Sequence, residues 1–387
     1  MIHTLTAPGS TQFGWAVAEL ADITGDGVLE LIVADDAGGP AGTGRAFVFN
    51  GATGAELLAL DEGPGGRFGY AIADAGDVNG DGTHDIVVGR PGVHLAYVYS
   101  GVDGSRLLTL VGTGDDRLGV AVASAGDVNA DGRADLLVGA QEADVNGVDS
   151  GRAYVFSGAD GSVHHALDGS VAGDLFGTGT DWVPDIDGDG VPEHVVGARD
   201  AGKWDDGGVW LFSGRTGTQL WRFDAPKSGH DLGSFFVAGL DDLTGDGVPD
   251  VYAGDYAATT ASHLSGRAHV LSGVDGTVAR TIDGDSPFDG LGPGREAGDL
   301  DGDGVQDLVI GSWSSHDGAR SGGRFDIFSG DDGSPLASGV VGTVPGAALG
   351  FDAVGIGDVD FDGVPDVAVA AAPANVVYVV SGASLLP

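Results

Sequence analysis

The sequence predicts an all-β fold: a seven-bladed β-propeller of four-stranded antiparallel blades, with an N-terminal strand closing the last blade. Three observations predict it. An acidic nonapeptide with Asp at position 5 and Gly at position 6 occurs seven times, at steps of 50 to 59 residues. A Phe-Gly or Leu-Gly pair precedes every copy. Each copy is followed by a short β-branched run, then by an alternating strand that ends at a tight turn. Units of roughly 50–60 residues carrying four strands describe propeller blades, and seven lies within the usual range of about four to eight.

Each repeat opens with its pair: Phe13-Gly14, Phe68-Gly69, Leu118-Gly119, Phe176-Gly177, Leu232-Gly233, Leu291-Gly292 and Leu349-Gly350. An apolar first strand leads into the nonapeptide. The second strand is the run behind it, such as Leu31-Ile32-Val33 or Leu308-Val309-Ile310, often ending in Gly, as at Gly89, Gly139, Gly197 and Gly311. Short β-branched runs bounded by Gly and Asp are strands. A variable loop follows, then an alternating third strand, as in Arg45-Ala46-Phe47-Val48-Phe49. A turn such as Gly101-Val102-Asp103-Gly104 and a fourth strand such as Leu107-Leu108-Thr109-Leu110 complete the unit. The seventh repeat reaches its third strand at Val376–Val380 and lacks a fourth. Residues Ile2–Thr6 precede Phe13-Gly14 at the spacing of the other fourth strands, so they are expected to supply it. That pairing would cover an edge otherwise open to aggregation. The expected organisation is one propeller domain over residues 1–387.

The nonapeptides carry the chemistry. The first spans 22–30 and offers Asp22, Thr24, Asp26, Val28 and Glu30; the second spans 77–85 and offers Asp77, Asn79, Asp81, Thr83 and Asp85. The third, 127–135, has Asp127, Asn129, Asp131, Arg133 and Asp135; the fourth, 185–193, has Asp185, Asp187, Asp189, Val191 and Glu193. Loop 242–250 presents Asp242, Thr244, Asp246, Val248 and Asp250, and loop 299–307 presents Asp299, Asp301, Asp303, Val305 and Asp307. The last, 358–366, has Asp358, Asp360, Asp362, Val364 and Asp366. Side-chain oxygens at positions 1, 3, 5 and 9, with a main-chain carbonyl at position 7 and a Gly for the turn, are a hard-cation set suited to Ca²⁺, which takes six to eight oxygens. An EF-hand also needs a Glu at position 12 between two helices. Position 12 here is Val33, Val88, Val138, Val196, Ala253, Ile310 and Val369, and the flanks are β-rich. The loops therefore read as calcium sites in β-hairpins, up to seven in number. The competing reading, Asp-Gly turns that need no metal, does not account for seven copies of the same acidic positions.

Composition limits the partners. Asp and Glu number 58 against 17 Lys and Arg, a net charge of −41. That balance opposes nucleic acid and anionic membrane as partners. The loops hold 24 of the acids, and seven bound Ca²⁺ would bring the net to −27. There is no cysteine, so disulfides and thiolate sites are excluded. No apolar run is long enough to span a membrane, and no signal peptide is visible at the N-terminus. Loops of this kind work best where calcium is about millimolar, as outside cells. An extracellular or cell-surface monomer whose leader has been removed is the expected setting.

The Phe-Gly openings, the seven nonapeptides, and pieces such as Val88-Gly89-Arg90-Pro91 and Val138-Gly139-Ala140 resemble the FG-GAP repeat family. The resemblance covers essentially the whole chain. The heads of integrin α-subunits are its best-known members. The resemblance implies a seven-bladed propeller with Ca²⁺ between the first and second strands, on the face away from the ligand face. Here all seven loops look competent, whereas integrin heads usually fill only some. With no cysteine, few lysines and compact loops, the chain looks more like a bacterial member than an animal receptor. These departures argue against a β-subunit partner and against Arg-Gly-Asp ligands.

The expected function is an extracellular binding or adhesion module, with a protein or glycan ligand on the face opposite the calcium loops. The alternative is a calcium-stabilised carbohydrate-binding or polysaccharide-degrading propeller. No nucleophile elbow, zinc-protease motif or phosphate loop is present. A lyase would want clustered Arg, Lys and His, and these are spread out, so no enzymatic activity is expected. Trp204, Trp313, His263 and His316 fall in the longer loops between second and third strands, where binding residues concentrate. The residues following three of the opening pairs, Trp15, Tyr70 and Phe351, are expected to form a partial aromatic arc that could hold a basic side chain. The competing reading is that these rings are packing.

Overall fold

The computed structural model describes residues 1–39, 42–227, 229–337 and 339–386. Seven four-stranded sheets form the blades of a β-propeller. Blade 1 comprises β2 (Val17–Leu20), β3 (Glu30–Asp35), β4 (Arg45–Phe49) and β5 (Glu56–Leu60); blade 2 comprises β6 (Ile72–Gly76), β7 (Asp85–Arg90), β8 (Leu95–Tyr99) and β9 (Arg106–Val111). Blade 3 is β10 (Leu118–Gly126), β11 (Asp135–Ala140), β12 (Arg152–Phe156) and β13 (Val163–Asp168); blade 4 is β14 (Phe176–Val183), β15 (Glu193–Ala198), β16 (Gly208–Phe212) and β17 (Gln219–Asp224). Blade 5 contains β18 (Val237–Leu240), β19 (Asp250–Asp255), β20 (Arg267–Leu271) and β21 (Val278–Asp283). Blade 6 contains β22 (Leu291–Gly298), β23 (Asp307–Ser312), β24 (Arg324–Phe328) and a two-residue outer strand, β25 (Val340–Val341).

Blade 7 takes three strands from the C-terminal end, β26 (Ala353–Gly355), β27 (Val367–Ala371) and β28 (Val376–Val380), and its fourth from the N-terminus, β1 (His3–Leu5). The register is antiparallel, His3 opposite Val379 and Leu5 opposite Val377. The N-terminal strand therefore closes the last blade, as its spacing predicted.

The chain divides into two compact units. One is Met1–Gly69 with Tyr256–Ala268 and Arg280–Pro387; the other is Tyr70–Asp255 with His269–Ala279. Within each unit the apolar residues pack between neighbouring blades. In the first, Phe13, Phe47 and Phe49 of blade 1 meet Val354, Ala368 and Val377 of blade 7. In the second, Val87 and Val98 of blade 2 meet Leu136, Val138 and Tyr154 of blade 3. The second strands are buried along their whole length, for example β7 and β11. This explains their unbroken apolar runs: both faces lie against protein. Outer strands such as β5 and β13 are largely exposed, with a single buried Leu each, Leu60 and Leu167.

The opening pairs buckle one blade to the next. The backbone of Phe176 forms a parallel bridge to Gly151, at the head of the third strand of the preceding blade. Phe176 itself is fully buried, edge-on to Trp210 and Phe212. In six of the seven pairs the Gly must be bare because backbone meets it there, whereas Gly14 faces the side chains of Val377 and Ala370. A Cβ on Gly139, near the end of β11, would lie 2.0 Å from the carbonyl oxygen of Gly177. Real Cβ atoms do not approach backbone so closely, and relief requires blades 3 and 4 to part. Gly139→Ala should therefore cost at least the roughly 1–3 kcal/mol typical of overpacking. A thermal melt checks this, with a midpoint equal to the parent's as the contrary result.

Candidate metal loops and the opposite loop face

Each acidic loop joins the first and second strands of its blade. Position 1 organises the loop. Asp22 Oδ1 accepts hydrogen bonds from the backbone amides of Thr24, Gly25 and Asp26, and Oδ2 accepts one from Gly27 at 2.7 Å. These amides hold the exposed Asp22 carboxyl below its ordinary pKa, Gly27 contributing most. Position 5 fixes the exit: Asp189 Oδ1 accepts from Val191 N at 2.9 Å. The same geometry recurs at Asp242 and Asp246 and at Asp299 and Asp303.

Position 9 behaves differently. Its side chain is fully buried in all seven loops: Glu30, Asp85, Asp135, Glu193, Asp250, Asp307 and Asp366. In the five Asp cases one oxygen accepts the amide of loop position 2, as from Val78 to Asp85 at 2.9 Å. The other accepts the Gly amide that follows the third strand, as from Gly101 to Asp85 at 3.1 Å, a Gly that begins the turn to the fourth strand in every case but Gly382 of blade 7. Asp135, Asp250, Asp307 and Asp366 repeat this staple. The sequence marked position 9 only as a ligand, and its second task was missed. The signal was present in the Gly that recurs sixteen or twenty-three residues beyond each of these Asp residues, at Gly101, Gly158, Gly273, Gly330 and Gly382. Burial raises the pKa of all seven carboxyls, to about 6 for Asp85 and about 7 for Glu193.

The test of a cation fit lies in convergence and in unmet hydrogen-bonding capacity. In four loops three carboxylates place an oxygen within 4.8 Å of one another: Asp22, Asp26 and Glu30; Asp185, Asp187 and Glu193; Asp299, Asp301 and Asp303; Asp358, Asp360 and Asp366. Glu30 Oε2 accepts from Ile23 N, while its buried Oε1 has no hydrogen-bond partner. Three converging carboxylates with an orphaned buried oxygen fit a divalent cation, which neutralises the repulsion and satisfies that oxygen. In two other loops the third position is an Asn whose amide donates to position 5, Asn79 to Asp81 and Asn129 to Asp131. The loop at 242–250 has Thr244 in that place, its hydroxyl donating to Asp242.

At the other end of each blade lie the loops between second and third strands and the linkers to the next blade. Two members of the expected aromatic arc lie together within one unit. Trp15 and Phe351 do meet, with ring centroids 5.4 Å apart. Trp313, from the blade 6 loop, adds to them at 6.1 Å from Phe351. Tyr70 packs edge-on against Phe235 at 5.9 Å. The Trp15 ring already has a cation over it, the guanidinium of Arg67 at 5.1 Å, which is itself paired with the buried Asp36. Phe235 and Arg67 escaped the sequence reading. Phe235 stands two residues, not one, beyond its Leu-Gly pair, and Arg67 precedes Phe68.

Of the other residues singled out, His263 stacks edge-on with Phe288 and His316 contacts its own loop through Ser314 O. The adjacent His164 and His165 point apart. His164 Nε2 lies 3.6 Å from Asp135, whereas His165 Nε2 reaches the Arg215 carbonyl. Trp204 is half exposed, with the ammonium groups of Lys203 and Lys227 at 4.7 and 4.9 Å from its ring centre. Among the described residues no helix is long and apolar enough to cross a membrane.

Comparison with known proteins agrees with this geometry. The FG-GAP repeat profile matches residues 118–156, which run from the Leu-Gly opening of blade 3 to the end of β12. Human (Homo sapiens) integrin alpha-IIb is 33% identical over 106 residues, covering 24% of this chain and 10% of that protein. Mouse (Mus musculus) integrin alpha-IIb is 33% identical over 87 residues, covering 21% of this chain and 8% of that protein. The chain thus spans about a tenth of the length of the curated relatives it matches. One blade matches the FG-GAP repeat profile and six more repeat its opening pair, acidic loop and strand order: the chain is a seven-bladed β-propeller with one stretch similar to the FG-GAP repeat and others similar to integrin alpha-IIb.

Proposed function

We propose that this chain is a calcium-binding propeller that acts as an extracellular binding or adhesion module, of bacterial type. The observation that carries the reading is the convergence of three carboxylates in each of four loops, one of them with a buried, unpartnered glutamate oxygen. Residues at positions 1, 3, 5 and 9 would hold the ion. Bound Ca²⁺ would rigidify the end of each blade where the acidic loop meets the turn between third and fourth strands. The loops at the opposite end then sit on a fixed scaffold, the usual place for recognition. The strong negative charge supports partners other than nucleic acid. The Trp15–Phe351–Trp313 arc is one candidate contact surface there, with Arg67 as its own built-in cation.

Calcium titration at two pH values tests the reading. Ligand carboxylates must be deprotonated, so metal binding competes with protons. Glu193 has its pKa raised from 4.5 to about 7. At pH 8 it is mostly ionised and at pH 6 mostly protonated, so affinity at that loop should fall roughly tenfold between them. The metal-free protein should respond in the opposite sense. Its position 9 carboxyls bind protons more readily folded than unfolded, so stability rises as pH falls from 8 towards 5. Isothermal titration should count several ions at pH 8 and weaker binding at pH 6. Absence of calcium binding at pH 8 refutes the proposal.

A further inference from the structure

We propose that a cavity beside blade 4 is a binding site for a neutral saccharide. The cavity has a volume of about 390 Å³, and it lies between the linker 169–175, the loop 199–207 and Arg222 of β17. That volume is within the range of small-ligand pockets, roughly 300–1,000 Å³, and suits one or two sugar rings. All of its lining belongs to one compact unit. It opens at the end of the blade opposite the acidic loop, where the proposed binding module would meet its partner, and the inference rests on that reading.

The lining selects the ligand class. Three carboxylates, Asp174, Asp200 and Asp205, and two cations, Lys203 and Arg222, line the cavity, and the only other side chains in its lining are those of Val171 and Ala172. A purely hydrophobic ligand would strip water from these five charged groups without pairing them, which is costly. A phosphate, sulfate or uronate would meet more carboxylates than cations. A ligand of vicinal hydroxyls fits both signs, because each hydroxyl donates to a carboxylate while accepting from an ammonium or guanidinium. The site is partly preorganised. Asp174 is buried, and Arg222 is held by Asp224 through its Nε at 2.6 Å while its guanidinium rests 4.4 Å over the ring of Trp210. Held groups lose little freedom on binding.

An exposed tryptophan adjacent in sequence to two lining residues supplies the other element of sugar recognition. Trp204 adjoins Lys203 and Asp205 and is 51% exposed. Over its indole lie the ammonium groups of Lys203 and Lys227, the only lysines in the chain. Neither ammonium makes a direct ion pair with a carboxylate among the described residues; Lys227 acts on Asp206 only at longer range. Both can swing aside, so the C–H face of a pyranose can take the place of one against the ring.

The calcium-loaded full chain, tested on an array of neutral, uronate-bearing and sulfated oligosaccharides, decides the matter. Neutral glycans should be retained, and titration calorimetry with the strongest of them should show saturable binding. Lys203→Ala, Trp204→Ala and Asp205→Asn change exposed side chains, the last keeping a residue that tolerates the positive φ of 55° there, so each should weaken that binding at least tenfold while the calcium-loaded melting temperature stays unchanged. Binding to acidic glycans alone, no binding by a protein that still takes up calcium, or neutral-glycan binding indifferent to these substitutions would each overturn the inference. Failure to bind calcium marks the loss of the broader reading instead.

Discussion

Adding EDTA to the calcium-loaded protein should lower its melting temperature by tens of degrees, or unfold it at ambient temperature. A ligand that binds only the folded state stabilises it by about 2.7 kcal/mol when present at 100 times its Kd. The four loops with converging carboxylates alone would then contribute about 11 kcal/mol, comparable with the whole stability of a typical domain, about 5–15 kcal/mol. Chelation also restores the repulsion among three or four acids within nine residues of one loop. Loops at 185–193, 299–307 and 358–366, with four acids each, should release calcium last. A calorimetric melt in calcium and in EDTA measures the effect, and superimposable curves would contradict it.

Removal of residues 1–7 should produce a protein that aggregates or melts far below the parent. The loss is larger than one edge strand. β1 pairs with β28 over three residues, and Ile2 N adds a hydrogen bond to Val379 O at 2.8 Å. Leu5 is buried in the cluster between blades 7 and 1. His3 reaches blade 1, its Nε2 within 3.1 Å of the carbonyl of Gly51 and 3.0 Å of that of Ala52. The strand therefore ties the last blade to the first as well as completing the sheet. Without it β28 presents unpaired amides and carbonyls to solvent, the usual template for edge-to-edge association. Light scattering and a melt of the truncated chain decide the point, and an unaltered monomer would show that β1 is dispensable.

Much of the fold could be read from the chain because its determinants are local and repeated. Asp, Gly and Asp at fixed offsets need no distant residue to shape a turn: the position 1 carboxylate collects amides from two to five residues ahead of it. Buried second strands announce themselves as unbroken apolar runs. The missing fourth strand of the last blade was a matter of counting, and its donor a matter of spacing. Seven copies turned each weak signal into a strong one.

Tertiary structure decided what depends on residues far apart in the chain. Whether an exposed aromatic finds a ligand or a neighbour depends on adjacent blades. Trp15 meets Phe351 from the opposite end of the sequence and carries Arg67 on its ring, while Tyr70 turns to Phe235. The double duty of position 9 required the burial that raises its pKa and the turn amide that shares it. The cavity beside blade 4 is assembled from a linker, a loop and an outer strand spread over about fifty residues. Local periodicity determines strands and turns, since their hydrogen bonds lie within a few residues. Sites arise where loops converge, and convergence is a property of packing.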